Sequence, residues 1–483
     1  MISEYWHSTV GGWKQIRNAA LSKGVYLAFR VPKVRSWLLE KLLDRLENAY
    51  ERTDSEDEQL MHLRWFGSTL RPFLERLVNE RPAAARAILR FISTWTKDMY
   101  RRDKAQAAGK ATPCTVVIEP TDRCNLQCPG CYAKSSVDGH DLPFEQMVQI
   151  VEQVIDMGVT LITISGGEPF LREKADRTIT RLAEMFPNQG FLVYTNGTLI
   201  DEEIAERLGK VGNVFPAISV EGFEHQTDRR RGKGTYELNR RVRQLLAENE
   251  VMVGFSATVT RENADSICSD DFIDLRIAEG DMFGWFFLLQ PIGRSPRADL
   301  MPTPQQRAAL REAVYRWRDE GKPIFLGDFW NDGPLVDGCI AGGKYYFHIY
   351  ANGDISPCVF SPIAVGNIFD IIEGKTPYRS LDDFVQRNPF FVGFREKQKL
   401  IHDRAAPCLL IDHPELFRDL CKNIPFKAAK NMPPDYLEGP IAKAIDELAA
   451  AWKALVPNLP PLPSERHAAE KAEKKTNREP LKV

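Results

Sequence analysis

Within the segment TDRCNLQCPGCYA, three cysteines fall in eight positions: Cys124, Cys128 and Cys131. A disulfide uses two sulfurs, and a structural zinc site closes with four ligands. Three thiolates on one short loop suit a metal centre with one coordination position left free. A zinc site would have to reach for His140, nine residues beyond Cys131. An iron-sulfur cluster is held by cysteines gathered in this way, and three ligands would leave one iron open. A second thiol group follows in GCIAGGKYYFHIYANGDISPC, where Cys339 and Cys358 frame alternating residues and a turn at ANGD, the pattern of a β-hairpin. Cys408, after Pro407, is the expected third member. The fourth position is open to Cys421, His402, His413 or a substrate. Cys114 and Cys268 have no partner pattern and read as small core residues.

The elements that must position these thiols alternate from residue 115. Short apolar runs (TVVIEP, LITISGG, FLVYTNG, FPAISVEG, VMVGFSATV, WFFLLQPIG) alternate with helical segments, the last opening at Thr303 and Pro304. Six strand-helix units with continuous apolar strands indicate a buried parallel sheet. Six is fewer than the eight of a closed barrel. The expected fold is therefore α/β: a partial (β/α)6 TIM-like barrel with an N-terminal helical domain and a small C-terminal α+β extension. Reactive groups in such barrels sit on loops after the strands, and the thiol loop follows the first strand. The expected boundaries are an N-terminal helical domain at 1–110, a core at 113–325, an extension at 326–425, a helix at 426–456 and a disordered tail at 457–483. HQTDRRRGKGTY, residues 225–236, reads as a basic loop; Asp328 and Asp332, just before Cys339, are candidate bases, with acids of an exposed turn the commoner reading.

Length and composition bound the class. The 483 residues carry a net charge of -2, which exerts no pull toward nucleic acid. Nine cysteines are an odd and sparse count, unlike a secreted disulfide framework. No apolar run approaches the ~18 residues of a membrane span, and MISEYWHSTVGGWK lacks a signal-peptide pattern. The expected location is cytoplasmic. Residues 1–110 hold 20 Lys/Arg against 13 Asp/Glu, so their helices are the place for any peripheral membrane contact.

The C-x3-C-x2-C loop after the first strand resembles the radical SAM superfamily. SGGEP, Ser165 to Pro169, is similar to that superfamily's loop for the S-adenosylmethionine amino group, and YTNG and SVEG stand at matching strand ends. The resemblance implies a [4Fe-4S] cluster on Cys124, Cys128 and Cys131, with S-adenosylmethionine chelated at its open iron. It also implies cofactor contacts from Gly166, Gly167, Glu168, Pro169, Asn196 and Ser219; in the basic segment Arg231 is the candidate to pair bidentately with a carboxylate or phosphate of the cofactor. Where the family has an aromatic residue just before the third cysteine, Gly130 stands here, and Tyr132 is expected to take its place. The second thiol group resembles a reduced twitch or SPASM extension, which implies an auxiliary iron-sulfur cluster on Cys339, Cys358 and Cys408. Gln290, at the sixth strand end, is expected to point toward substrate. The implied reaction is hydrogen abstraction from a substrate, the classes being a peptide, a small metabolite or a lipid; the alternative is a non-catalytic iron-sulfur electron-transfer protein, against which the GGEP loop speaks. A reductant such as flavodoxin or ferredoxin would supply the electron.

Overall fold

The computed structural model describes residues 58–476. Seven parallel strands run in chain order: β1 (Thr115–Ile118), β2 (Leu161–Ile164), β3 (Gly190–Thr195), β4 (Val214–Val220), β5 (Gly254–Val259), β6 (Phe283–Leu288) and β7 (Phe325–Asp328). Each pairs with the next, and helices cover the outer face. All seven residues of β4 are buried, because a strand with helices outside and a lumen inside has no solvated face. This is the α/β, TIM-like partial barrel expected from the sequence, with one strand more than the six counted there. FLGD is short and runs into a polar turn, so β7 shows no apolar stretch of strand length.

Alternation along the strands separates two environments. Phe191 and Val193 face outward, into a core with Met147, Ile150, Leu182 and Leu208. Leu192 pairs with Phe215, and Tyr194 with Ala217, on the lumen side. The lower lumen is filled by the helices Arg71–Glu80 and Pro82–Ala107, whose Phe73, Leu77, Val78, Ala84 and Ala85 pack on Leu192, Phe215, Ala217 and Phe283. Arg76 ties these helices on by donating to the carbonyls of Asp281 (2.8 Å) and Ile277 (2.9 Å). The apolar residues of this part are thus spent on the barrel. Residues 1–57 of the expected helical region lie outside the described residues. No described helix is long and apolar enough to cross a membrane.

The anticipated hairpin is present as β8 (His348–Ile349) and β9 (Asp354–Ser356), paired antiparallel. It extends the barrel sheet: β8 runs parallel to β1, with Val117 opposite His348 and Ile118 opposite Ile349. Its turn needs Gly353 (φ +82°), where a Cβ would lie 2.5 Å from the Phe369 ring.

Three local expectations are corrected. The basic segment is a helix, Glu224–Arg231. Gln226 caps it by accepting from Phe223 N (3.2 Å), and Glu221 neutralises two of its arginines. Residues 463–476 of the supposed disordered tail form the helix Pro463–Thr476, held by buried Leu462 and by a Ser464 Oγ to His62 Nδ1 hydrogen bond of 2.7 Å. Asp328 is fully buried, accepting from Asn331 Nδ2 (2.7 Å) and from the amides of Trp330 and Asn331. Asp332 is paired with Arg318 at 2.7 Å. Both acids are locked into the β7 turn.

Burial, and then the neighbouring Asp332, raises the Asp328 carboxyl to about 6. The native state therefore holds its proton more tightly than the unfolded chain. Stability should fall as pH rises from about 4 to 6, by up to about 3 kcal/mol, and then level off. Urea titrations at pH 5 and 7 should show this slope in the wild type and a weaker one in Asp328→Asn. Equal slopes would assign the pH dependence to other groups.

Candidate active site at the thiol loop

The loop after β1 closes on itself. Cys124 N donates to Ser136 O (2.8 Å), Asp122 N to His140 O (2.9 Å), and Arg123 pairs with Asp141 at 2.7 Å. The loop after β2 is stitched to it through the backbone: Gly167 N donates to Thr121 O (2.9 Å) and Glu168 N to Arg123 O (2.7 Å). This contact requires the two glycines. A Cβ at Gly167 would lie 1.8 Å from Arg123 O, and one at Gly166 (φ +104°) 2.5 Å from Thr121 O. The glycines thus let the two loops meet.

Glu168 is buried and turned inward. It accepts from Thr195 Oγ1 (2.7 Å), Asn196 N (2.7 Å) and Phe170 N (3.0 Å). Burial raises its carboxyl, and these three donors oppose the rise. The carboxylate braces the β3 end against the GGEP loop, and Pro169 precedes the helix Phe170–Asp176. Asn196 Nδ2 reaches Asn125 Oδ1 (2.9 Å) and lies 3.9 Å from Cys124 Sγ. Ser219 Oγ donates to Thr195 O (3.0 Å), so its hydroxyl hydrogen is already engaged within the strand ends. Tyr132 hydrogen-bonds Ser165 through its hydroxyl, and its ring packs 5.7 Å from that of Phe360. Gln290 is buried, with its amide against the Leu288 and Leu289 carbonyls.

Arg231 is no free fork. It pairs with buried Glu221 at 2.5 Å. Burial lowers its pKa, but Glu221 and the Cys128 and Cys131 thiols more than offset that, so its charge is retained beside the loop. Arg230 and Arg294 were not singled out in the sequence. Arg230 donates to Pro129 O (3.2 Å) and Gly130 O (3.3 Å), and Arg294 to Cys128 O (3.2 Å). The signal was a run of three arginines, in which nothing marks the one that turns to the loop.

The donor set suits a thiolate-held cluster. Cys124, Cys128 and Cys131 are free thiols, all partly accessible. Burial pushes the Cys124 thiol up to about 11, against a Leu126 N–H directed at its sulfur (3.4 Å). That N–H and the Arg231 charge would stabilise thiolates once iron displaces the proton. Among the described residues no three ligating side chains are gathered around a single metal ion; a cluster holds its thiolates more widely apart than one ion does.

Cys339, Cys358 and Cys408 repeat the arrangement. The amide two residues on faces each sulfur: Phe360 N to Cys358 (3.4 Å), Leu410 N to Cys408 (3.4 Å), and Ala341 N to Cys339. Burial raises all three thiols, and Cys408 also feels Cys339 and Cys358. Arg307 fixes the Cys408 turn by pairing with Asp412 at 2.5 Å while stacking 4.1 Å over Trp452. Cys421 sits in the helix Pro414–Asn423 and is raised by burial alone, to about 12, with no thiol among its causes. His413 Nε2 lies 3.1 Å from Ala406 O, and His402 is exposed.

Residues 118–267 match the Radical SAM superfamily. The sporulation killing factor maturation protein SkfB of Bacillus subtilis (strain 168) is 26% identical over 58% of this chain and 69% of its own length. The mycofactocin maturase MftC of Mycobacterium ulcerans (strain Agy99) is 29% identical over 74% of this chain and 93% of that one. The Fe-coproporphyrin III synthase of Methanosarcina barkeri (strain Fusaro / DSM 804) is 32% identical over 32% of this chain and 38% of its own length.

The stitching predicts separable defects. Gly167→Ala should displace Arg123 and with it Cys124, lowering iron uptake on reconstitution by at least about half. Glu168→Gln should keep iron near the wild-type level while weakening S-adenosylmethionine binding about tenfold, as read by equilibrium dialysis. Full iron in Gly167→Ala would show that the loops tolerate separation.

Proposed function

The chain belongs to the radical SAM superfamily, and on that premise we propose that it modifies a peptide at the mouth of the barrel. The observation that carries the reading is the juncture of the thiol loop and the GGEP loop, bonded backbone to backbone at 2.7 and 2.9 Å. Cys124, Cys128 and Cys131 would hold the cluster, and the ends of β2, β3 and β4 would receive S-adenosylmethionine. Bound there, these two groups would supply radical chemistry able to abstract hydrogen from a substrate carbon.

The protein's own share is placement and exclusion. Arg230 and Arg294 hold the thiol loop by its carbonyls, and Arg231, paired with Glu221, keeps positive charge beside it. Glu168 keeps the Asn196 backbone and the β3 end in register with the GGEP loop. Tyr132 covers the loop with a ring that excludes water. The inward face of β3 to β7 carries Tyr194, Trp285, Phe287 and Phe325 and no charged side chain among its paired residues. Such a wall protects a radical from side reactions with water and ionic groups.

Two relatives that are maturases by name, matched over 69% and 93% of their lengths, support a peptide substrate. The aromatic wall along β3 to β7 favours a second reading, an apolar small molecule or lipid. We further propose that Cys339, Cys358 and Cys408 hold an auxiliary cluster, supported by the repeated amide-to-sulfur contacts.

Replacing Cys124, Cys128 and Cys131 by alanine should abolish 5'-deoxyadenosine formation in reconstituted protein, measured by chromatography after dithionite reduction. Residual turnover would end the assignment. The same variant should retain about four irons per chain, lost on further replacement of Cys339 and Cys358. A folded triple variant without iron would make the second group structural. Incubating wild type with candidate precursor peptides and scoring substrate-dependent 5'-deoxyadenosine tests the peptide; stimulation by apolar small molecules alone would favour the second reading.

A further inference from the structure

On the reading of Cys124, Cys128 and Cys131 as cluster ligands, we infer that Asn431 is a positioning residue for their loop. Through it, residues 427–431 tie that loop to the body carrying the second thiol group.

Cys131 is the last of the three thiols, and the loop after β6 meets its carbonyl. Arg294 N donates to Cys131 O (2.9 Å). Gly293 (φ +81°) comes so close that a Cβ there would lie 2.1 Å from the same oxygen. Asn431 holds both sides of this contact. Its carbonyl accepts from Gly293 N (2.8 Å), and its Nδ2 donates to Tyr132 O (3.0 Å). The partner fixes the sense of the amide, since a carbonyl oxygen must be met by the nitrogen. Asn431 is 1% exposed, and its Oδ1 accepts no hydrogen bond among the described residues. Its side chain thus serves the loop as a donor. The preceding residue grips the other end: Lys430 Nζ pairs with Asp122 at 2.5 Å, two residues before Cys124. Two adjacent residues therefore hold the entrance and the exit of the loop, across 308 and 299 positions of chain.

The grip is anchored beside the second thiol group. The strand Lys427–Ala428 pairs antiparallel with the strand Ile363–Ala364, and Ala429 N donates to Pro362 O (3.0 Å). These partners follow shortly after Cys358. Lys427 pairs with Asp354 of β9 at 2.8 Å. Phe426 and Met432, on either side of the segment, pack in one apolar cluster with Cys358, Cys408 and Phe360. Tyr350, just past β8, donates its hydroxyl to Ser361 O (3.3 Å) and lies against the Asn431 amide. A shift of this body is carried to Cys131 through Gly293 and Tyr132. Residues beyond a metal's ligands act on it in this way, by holding the ligands in place.

The first measurement uses the full chain without iron. Hydrogen exchange at residues 121–134 should rise about tenfold in Asn431→Ala. Asn431→Asp, of the same shape but facing Tyr132 O with an acceptor, should match it. After reconstitution both should hold iron at the wild-type level, since the three thiols remain. In dithionite-driven 5'-deoxyadenosine formation, KM for S-adenosylmethionine should rise about tenfold, with kcat changed less than about twofold. Lys430→Ala should shift both readouts less and in the same direction, and Lys430→Arg, which keeps the ion pair, should restore them. Ala429→Pro, which deletes the amide held by Pro362, should raise the same exchange; unchanged exchange there would detach the second body from the loop. Asn423→Ala, which removes an exposed hydrogen bond at the end of the helix Pro414–Asn423, should change nothing. If Asn431→Ala fails to fold, Lys430→Ala and Ala429→Pro decide. Wild-type exchange and KM in the Asn431 variants, with iron intact, overturn the inference. A wild-type chain that binds no iron at the first loop refutes the cluster reading instead, while exchange in the iron-free chain still tests the grip.

Discussion

The site depends on a backbone contact that tolerates no side chain. The amides of Gly167 and Glu168 reach carbonyls of the residues just before Cys124, and the Gly167 Cα lies where any Cβ would strike Arg123. Two adjacent strands, β1 and β2, deliver these loops in register, Ile118 opposite Ile164. Everything at the barrel mouth is arranged from that joint. Glu168 carries its position to β3 through Thr195 and Asn196, and Ser219 carries it on to β4. The strand ends thus form one bonded rim.

The second thiol group is built on the same sheet. β8 lies on the free edge of β1, and His348 Nε2 meets Glu119, at the top of β1, at 3.1 Å between two fully buried side chains. Removing one partner of such a buried hydrogen bond costs about 1–3 kcal/mol. The hairpin is accordingly locked to the strand that leads into the thiol loop, and the aromatic rings of Phe329, Trp330 and Phe360 fill the angle between them.

The parts legible in the sequence were those governed by local chemistry. Cysteine spacing marked both thiol groups, and a capping residue marked a helix start: Thr303 accepts from Gln306 N (3.2 Å). Less legible were features set by distant partners. β7 has only four residues, and its strand character comes from pairing with β6. Asp328 looks like a turn acid until the helix Pro304–Asp319 covers it. Arg230 differs from its two neighbours only in the direction it faces. The helix Pro463–Thr476 has too few apolar residues to be expected alone, and forms where Ser464 meets His62.

The packing of Phe73, Leu77 and Val78 beneath the lumen has a consequence for traffic. Among the described residues, helices stop the barrel at its foot, so on the proposed reading the site is reached from the rim. A substrate would enter from that end and leave by the way it came. A long molecule can offer only an end or a tight bend, and the next molecule must wait until the well has been vacated. Turnover would then be paced by withdrawal, with the aromatic wall that shelters the reaction also setting how readily its product lets go.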